Sequence, residues 1–205
     1  MNFRRILLAV VGVAVLALAG FSVWLFRLPP QQAQFAPPPV SQEEARATLA
    51  ALQPPKRQRP LISIVGINDA TETTDYLMTY GILRRADVAD VMLLSTESGP
   101  VSLYPALAVE PDTTIAQFDM DHPDGADYVI VPQMSRHDDA ALHRWLKKQQ
   151  AGGATILGIC GGATVVAAGG LLDGKRATTH WYYRKEILRD PSVWNVAKAE
   201  FQNPN

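Results

Sequence analysis

The sequence predicts an α/β fold, a flavodoxin-like parallel sheet sandwiched between helices, behind an N-terminal transmembrane helix. Three observations carry this. From residue 61 onward, short apolar, β-branched runs alternate with segments of helical spacing. A glycine-flanked cysteine, Gly158-Ile159-Cys160-Gly161-Gly162, lies between one such run and an Ala-rich segment. Residues 6–26 carry no charge and are bracketed by Arg4, Arg5 and Arg27.

The uncharged run comes first. Its 21 residues make a helix about 31 Å long at roughly 1.5 Å per residue, and the bilayer core is about 30 Å thick. A cleaved signal peptide is the rival reading, because Ala17-Leu18-Ala19 resembles a small-x-small cleavage site. Apolar residues continue beyond it through Phe21, Val23, Trp24, Leu25 and Phe26, further than a signal core of about 7–15 residues needs. The run therefore reads as an uncleaved anchor covering residues 1–28. The single cysteine is far from it, which excludes a lipoprotein anchor. Arg4, Arg5 and the α-amino group outweigh Arg27, so the N-terminus stays cytoplasmic and the rest is carried across. The expected location is a bacterial inner membrane, crossed once, with a periplasmic globular domain.

Residues 29–60 read as a Pro-rich linker with a short helix. Pro29-Pro30 ends the anchor, since proline lacks the N–H donor and clashes with the preceding turn. Ser41, followed by Glu43 and Glu44, is placed to cap a helix running to about Leu52. Residues 54–60 form a second, basic linker, and the globular domain spans residues 61–205.

Within that domain, residues 61–67 and 88–94 read as buried strands, and residues 74–85 as a helix with Leu77, Met78 and Ile82 at helical spacing. Residues 101–109 suggest a small β excursion, and residues 128–131 a strand ending at Pro132. Asp138-Asp139 caps a helix bearing Leu142, Trp145 and Leu146, which Gly152-Gly153 ends. Residues 155–159 are the strand before the cysteine, and residues 162–169 the helix after it. Alternation of this kind implies βαβ units and a parallel sheet with helices on both faces. The strand before Cys160 is expected near the middle of that sheet.

Composition limits the function. Nineteen Lys and Arg face twenty Asp and Glu, for a net charge of -1. A nucleic-acid-binding domain normally shows a concentrated basic face, so no nucleic-acid partner is expected. One cysteine excludes an internal disulfide. Taken alone, Cys160 would be a small buried apolar residue. Its neighbours argue otherwise. Gly-x-Cys-x-Gly between a strand and a helix is the nucleophile-elbow pattern. The elbow strains the backbone at the nucleophile, and Gly158 and Gly162 let the flanking segments approach. A helix starting near Gly162 would favour the thiolate, and the N–H groups of Gly161 and Gly162 could receive an oxyanion. His122, His137 and His143 have no metal-ligand spacing, so neither a metal nor another cofactor is expected.

Residues 158–181 read GICGGATVVAAGGLLDGKRATTHW. This run resembles the elbow region of the ThiJ/PfpI superfamily, within the class I glutamine amidotransferase-like fold. The resemblance is to the branch of isocyanide hydratases and the ligand-binding halves of AraC-type regulators. It rests on the Cys elbow, the Ala-rich helix and the segment from Leu171 to Trp181. The resemblance implies a catalytic set of Cys160, Asp75 and His180, with Asp75 approaching the sulfur and His180 helping to poise the thiolate. Thr179 and Glu72 are expected to line the pocket, Glu72 being the alternative acid. A Gly-Pro pair that the branch carries after its acidic residue is replaced by Thr79 and Tyr80. Position 161 is Gly where other branches place a His, which argues against their protease-like triad. The family domain normally continues through a further strand and a long closing helix, so the domain is expected to be incomplete at the C-terminus.

Three functions follow. The first is a Cys-dependent hydratase or hydrolase of a small electrophilic molecule, with Cys160 attacking and Asp75 moving protons. The second is a non-enzymatic ligand-binding module. The third is a redox sensor based on oxidation of Cys160. In each the partner is a small-molecule ligand or substrate, with the membrane as partner through residues 6–26 and a second copy of the chain as a candidate partner.

Overall fold

Six buried residues, Leu61–Gly66, form strand β1, around which the sheet is built. The structure is a computed structural model that describes residues 3–27, 41–175, 177, 179 and 180. Trp181 and the C-terminal elements expected beyond it lie outside the described residues. The chain forms two units, Met1–Leu52 and Gln53–Asn205.

The first unit holds two helices. Helix α1 is Phe3–Arg27. Side chains are described without interruption only over residues 10–24. Among the described residues no helix is long and apolar enough to cross a membrane, so the expected transmembrane helix is not found there. Helix α2, Gln42–Ala51, begins where the sequence placed it: the Ser41 hydroxyl accepts the Glu44 N–H at 3.0 Å. None of its residues is buried.

In the second unit, β1 leads through β2 (Thr71–Glu72) and one wide helical turn, Thr74–Met78, into helix α3 (Thr79–Ala86). Strand β3 (Asp90–Ser95) follows, then β4 (Val101–Tyr104), β5 (Leu107–Val109), β6 (Thr113–Thr114) and helix α4 (Ile115–Asp121). Strand β7 (Tyr128–Val131), helix α5 (Ala140–Ala151), strand β8 (Thr155–Gly158) and helix α6 (Gly162–Ala168) complete the described elements. The main sheet is parallel, in the order β6-β3-β1-β7-β8. A smaller sheet pairs β2 with β4 and β4 with β5.

Alternation along β1 divides the core. Leu61 and Val65 join one apolar cluster with Val129, Val131, Phe118, Trp145 and Val165, among residues from α4, α5 and α6. Ile62 and Ile64 join a second cluster with Tyr76, Leu93, Val101 and Ile130. The period-2 geometry of a strand sends successive side chains to opposite faces, and each fully buried aliphatic side chain contributes about 1.5–3 kcal/mol.

Two expectations need correction. Strand β8, expected near the middle, ends the sheet among the described residues, because β1 takes the centre and the chain adds β7 and then β8 outward from it. In the helical segment 74–86, Met78 and Ile82 are exposed. The wide turn rotates the face, so that Tyr76 is buried and Leu77, Tyr80 and Leu83 pack beside it.

The segment just before β1 is strapped to the sheet. Asp127, fully buried, accepts the N–H groups of Lys56 and Arg57, both at 3.0 Å, and of Leu61 at 2.9 Å. The Arg57 guanidinium adds an ion pair at 2.6 Å. Burial alone would raise the Asp127 pKa, but the bonds from Leu61, Arg57 and Lys56 outweigh it and hold the carboxyl below its usual range. Because Asp127 immediately precedes β7, this strap lies at the N-terminal edge of the parallel strands.

Candidate functional site

The site is built at the opposite, C-terminal edge. Strand β8 stops at Gly158, and the Ile159 N–H donates to the Val131 carbonyl at 2.9 Å. Cys160 then turns with φ at +56°. A non-glycine residue in that left-handed region costs about 1–3 kcal/mol and persists only where the surroundings enforce it. The enforcement is visible. A Cβ at Gly158 would lie 2.7 Å from the backbone of Ala163, and one at Gly162 would collide with the Val131 carbonyl oxygen. The Cys160 carbonyl accepts the Thr179 hydroxyl at 3.0 Å and the His180 N–H at 3.5 Å. The Thr164 hydroxyl donates to the Gly161 carbonyl at 2.6 Å.

The acidic residues reach this edge from β2 and the turn after it. The Glu72 carboxylate accepts the Thr74 hydroxyl at 2.6 Å and the Asp75 N–H at 2.7 Å, so it caps the wide turn. The exit of β7 holds both acids: the Gln133 carbonyl accepts the Glu72 N–H at 2.8 Å, and the Gln133 N–H donates to the Asp75 carboxylate at 3.0 Å. The pattern of the sequence does not single out Gln133. Only its position just after the Val131–Pro132 strand end hints that its backbone would meet a neighbouring loop.

Cys160 is half-buried. Burial pushes its thiol up, and the Asp75 and Glu72 carboxylates push it further, while the Gly161 N–H at the sulfur pulls it down. The thiolate-favouring helix terminus expected from the sequence is thus outweighed: α6 is a seven-residue helix, and two carboxylates stand nearby. Burial also raises the Asp75 pKa; the Gln133 N–H opposes this, Glu72 adds to it, and His180 draws it down. His180 is exposed, and its described electrostatic action is on Asp75. Of the two expected oxyanion donors, the Gly162 N–H is already committed to the Ile159 carbonyl at 2.7 Å, while that of Gly161 faces the sulfur. The structure therefore brings together Cys160, Gly161, Asp75, Glu72, Thr179 and the backbone of His180. A protonated thiol next to a carboxylate of raised pKa can exchange a proton on attack.

A cleft of about 540 Å³ opens at this edge, with Tyr104, Gln133, Ser135, His137 and Thr164 in its wall. His137, read as a surface residue, thus contributes to the cleft. His122 stacks against Phe118 with ring centroids 4.8 Å apart. Among the described residues no group of three or more His, Cys, Asp or Glu could hold a metal ion.

Residues 63–201 match the model of the DJ-1/PfpI family. The chain is 32% identical over 125 residues to the HTH-type transcriptional regulator CdhR of Pseudomonas aeruginosa, a match covering 60% of this chain and 34% of the regulator. It is 30% identical over 109 residues to an isonitrile hydratase of Pseudomonas putida, covering 51% of this chain and 45% of that enzyme. The chain thus spans less than half the length of either relative. The crystal structure of Drosophila melanogaster DJ-1beta superposes with a TM-score of 0.57 at 22% identity, over 64% of this chain and 72% of that one, and so shares the fold. With the elbow, its strand-helix setting and the matched span in agreement, the chain belongs to the DJ-1/PfpI family.

Proposed function

We propose that this protein is a Cys-dependent hydratase or hydrolase of a small electrophilic molecule, with Cys160 as its nucleophile. The observation that carries this reading is the left-handed backbone of Cys160, held between Gly158 and Gly162 and beside Asp75. Strain enforced on a single half-buried cysteine is what a presented nucleophile requires. Burial raises the pKa of both the Cys160 thiol and the Asp75 carboxyl. As the Cys160 sulfur bonds to the terminal carbon of an isonitrile, Asp75 takes the thiol proton and delivers it to that same carbon, leaving a carbon–nitrogen double bond. Water then adds across that double bond, its oxygen to the carbon and one proton to the nitrogen, and the carbon–sulfur bond breaks as the hydroxyl proton returns to the sulfur, releasing the formamide. The Gly161 N–H steadies charge that develops close to the sulfur. His180 opposes the rise in the Asp75 pKa that burial and Glu72 produce.

The isonitrile hydratase relative supports isonitriles as the first substrates to test. Purified full-length chain is incubated with a neutral isonitrile, and the N-substituted formamide, the product of adding one water, is followed. Formation above background that is lost in Cys160→Ser supports the reading. Saturable ligand binding with no turnover of any electrophile tested would replace it with a ligand-binding module. That second reading draws support from the similarity to CdhR and from the raised thiol pKa.

A membrane anchor through residues 6–26 belongs to the same proposal and rests on the sequence: an uncharged run bracketed by arginines. It puts the domain at the periplasmic face of a bacterial inner membrane. Resistance of the expressed protein to carbonate extraction supports it, and a soluble product beginning near Gly20 contradicts it.

A further inference from the structure

Cys160 and Gly161 share one peptide group. Such a group is planar and trans, so its carbonyl oxygen and its N–H point in opposite directions, and whatever fixes one aims the other. The N–H is that of Gly161, which faces the Cys160 sulfur. The carbonyl oxygen is that of Cys160. It accepts the Thr179 hydroxyl at 3.0 Å and the His180 N–H at 3.5 Å. The second contact is longer than an ordinary N–H···O bond, so the Thr179 hydroxyl is the firmer of the two holds. The neighbouring peptide is secured from within α6: the Gly161 carbonyl accepts the Thr164 N–H at 2.9 Å and the Thr164 hydroxyl at 2.6 Å.

The peptide between Cys160 and Gly161 needs a hold from outside the elbow because residue 161 is glycine. Gly161 stands at φ -75°. Turning the peptide over would carry that angle to positive values, which a side chain would resist and glycine accepts. The elbow sequence therefore does not itself forbid the turned-over peptide, in which the N–H leaves the sulfur. That N–H matters to the sulfur: burial and the Asp75 and Glu72 carboxylates oppose a negative charge there, and the Gly161 N–H favours it. We infer that Thr179 is a positioning residue: its hydroxyl anchors the Cys160 carbonyl and so keeps the Gly161 N–H turned to the sulfur. The accepted bond also polarises the peptide and strengthens its N–H as a donor. Charge develops on the sulfur as its proton leaves for Asp75 and again as the carbon–sulfur bond breaks, and at both moments the N–H is already in place. This inference rests on Cys160 being the nucleophile.

The test follows the pH profile of iodoacetamide alkylation at Cys160, the chain's one cysteine, in the full-length protein. Thr179→Val keeps the shape of the side chain and removes the hydroxyl; Thr179→Ser keeps the hydroxyl. In Thr179→Val the midpoint should move upward, and the rate at pH 7 should fall roughly three- to tenfold, the worth of a neutral hydrogen bond. Thr179→Ser should restore the midpoint of the unaltered protein. A Thr179→Val midpoint equal to that of the unaltered protein overturns the inference, and so does a Thr179→Ser protein that behaves like Thr179→Val. If Thr179→Val does not fold, the unaltered protein decides. Its Gly161 amide proton, followed by NMR in isotope-labelled chain, should shift with the midpoint of the thiol and by more than that of Gly162, whose N–H is bonded to the Ile159 carbonyl. A Gly161 amide that does not respond to the thiol overturns the inference without any variant. A Cys160 inert to iodoacetamide until the protein is denatured would bring down the nucleophile reading, and this inference with it.

Discussion

Asp127→Ala should be among the most damaging substitutions outside the candidate site. The carboxylate accepts the N–H groups of Lys56, Arg57 and Leu61 and the Arg57 guanidinium, at 2.6–3.0 Å, and its side chain is fully buried. Alanine leaves the buried Leu61 N–H without a partner and frees a half-buried guanidinium. Removing one partner of such a buried pair costs about 3–5 kcal/mol. With about 2–4 °C per kcal/mol for a unit of this size, the melting temperature should fall by roughly 6–20 °C. Arg57→Ala should cost less, about 1–2 kcal/mol, because Arg57 is 33% exposed and the carboxylate keeps its three backbone donors. The pH dependence has a definite sign. The folded-state pKa of Asp127 lies below the ordinary carboxylate range, so its contribution is fully present above the unfolded value and is lost as pH falls through the folded one. Urea denaturation at pH 7 and at a series of pH values down to 3 measures both effects. An Asp127→Ala protein within about 0.5 kcal/mol of the parent at pH 7 would refute the assignment of the strap as a stabilising element.

Removing the Asp75 charge removes one of the causes that raise the Cys160 thiol, so Asp75→Asn should shift the midpoint of the alkylation pH profile downward; an unchanged or higher midpoint would show that the carboxylate does not act on the sulfur. The elbow glycines should tolerate no side chain. Gly162→Ala, whose Cβ meets the Val131 carbonyl and lies 2.8 Å from that of Pro132, should cost more than the roughly 1–3 kcal/mol of ordinary overpacking, as read from urea titration. Gly81→Ala is the opposite case: its Cβ meets nothing within 4 Å in α3, and it should stabilise by about 0.5–1 kcal/mol in the same assay.

Much of this molecule can be read from residue order. Strand and helix alternation, the Ser41 and Asp139 caps and the strand–Cys160–helix turn all follow from local chemistry, and the structure shows each of them. What depends on strand order could not be read in the same way. Nothing in residues 155–158 says whether their neighbours lie on one side or both, because a short apolar run suits either place. The face of the segment 74–86 was misjudged at Met78 and Ile82 because a wide turn breaks the 3.6-residue period. Gln133 was invisible for a related reason: its importance lies in backbone groups that every residue carries. The helix terminus beside Cys160 is visible in sequence, whereas the burial and the two carboxylates that raise its thiol are properties of packing.

The strap at Asp127 and the elbow at Cys160 lie at opposite ends of parallel strands. Six residues of β1 span about 20 Å, so tension applied to the chain ahead of Lys56 enters the domain at the edge away from the chemistry. It is borne first by the Arg57–Asp127 clamp and then by the ladders joining β1 to β3 and β7, which are loaded in shear. Among the described residues, none of the backbone contacts that hold Cys160 in its left-handed turn belongs to β1. A pull at residue 53 should therefore be resisted at the floor of the sheet, with the elbow geometry left intact until that floor gives way.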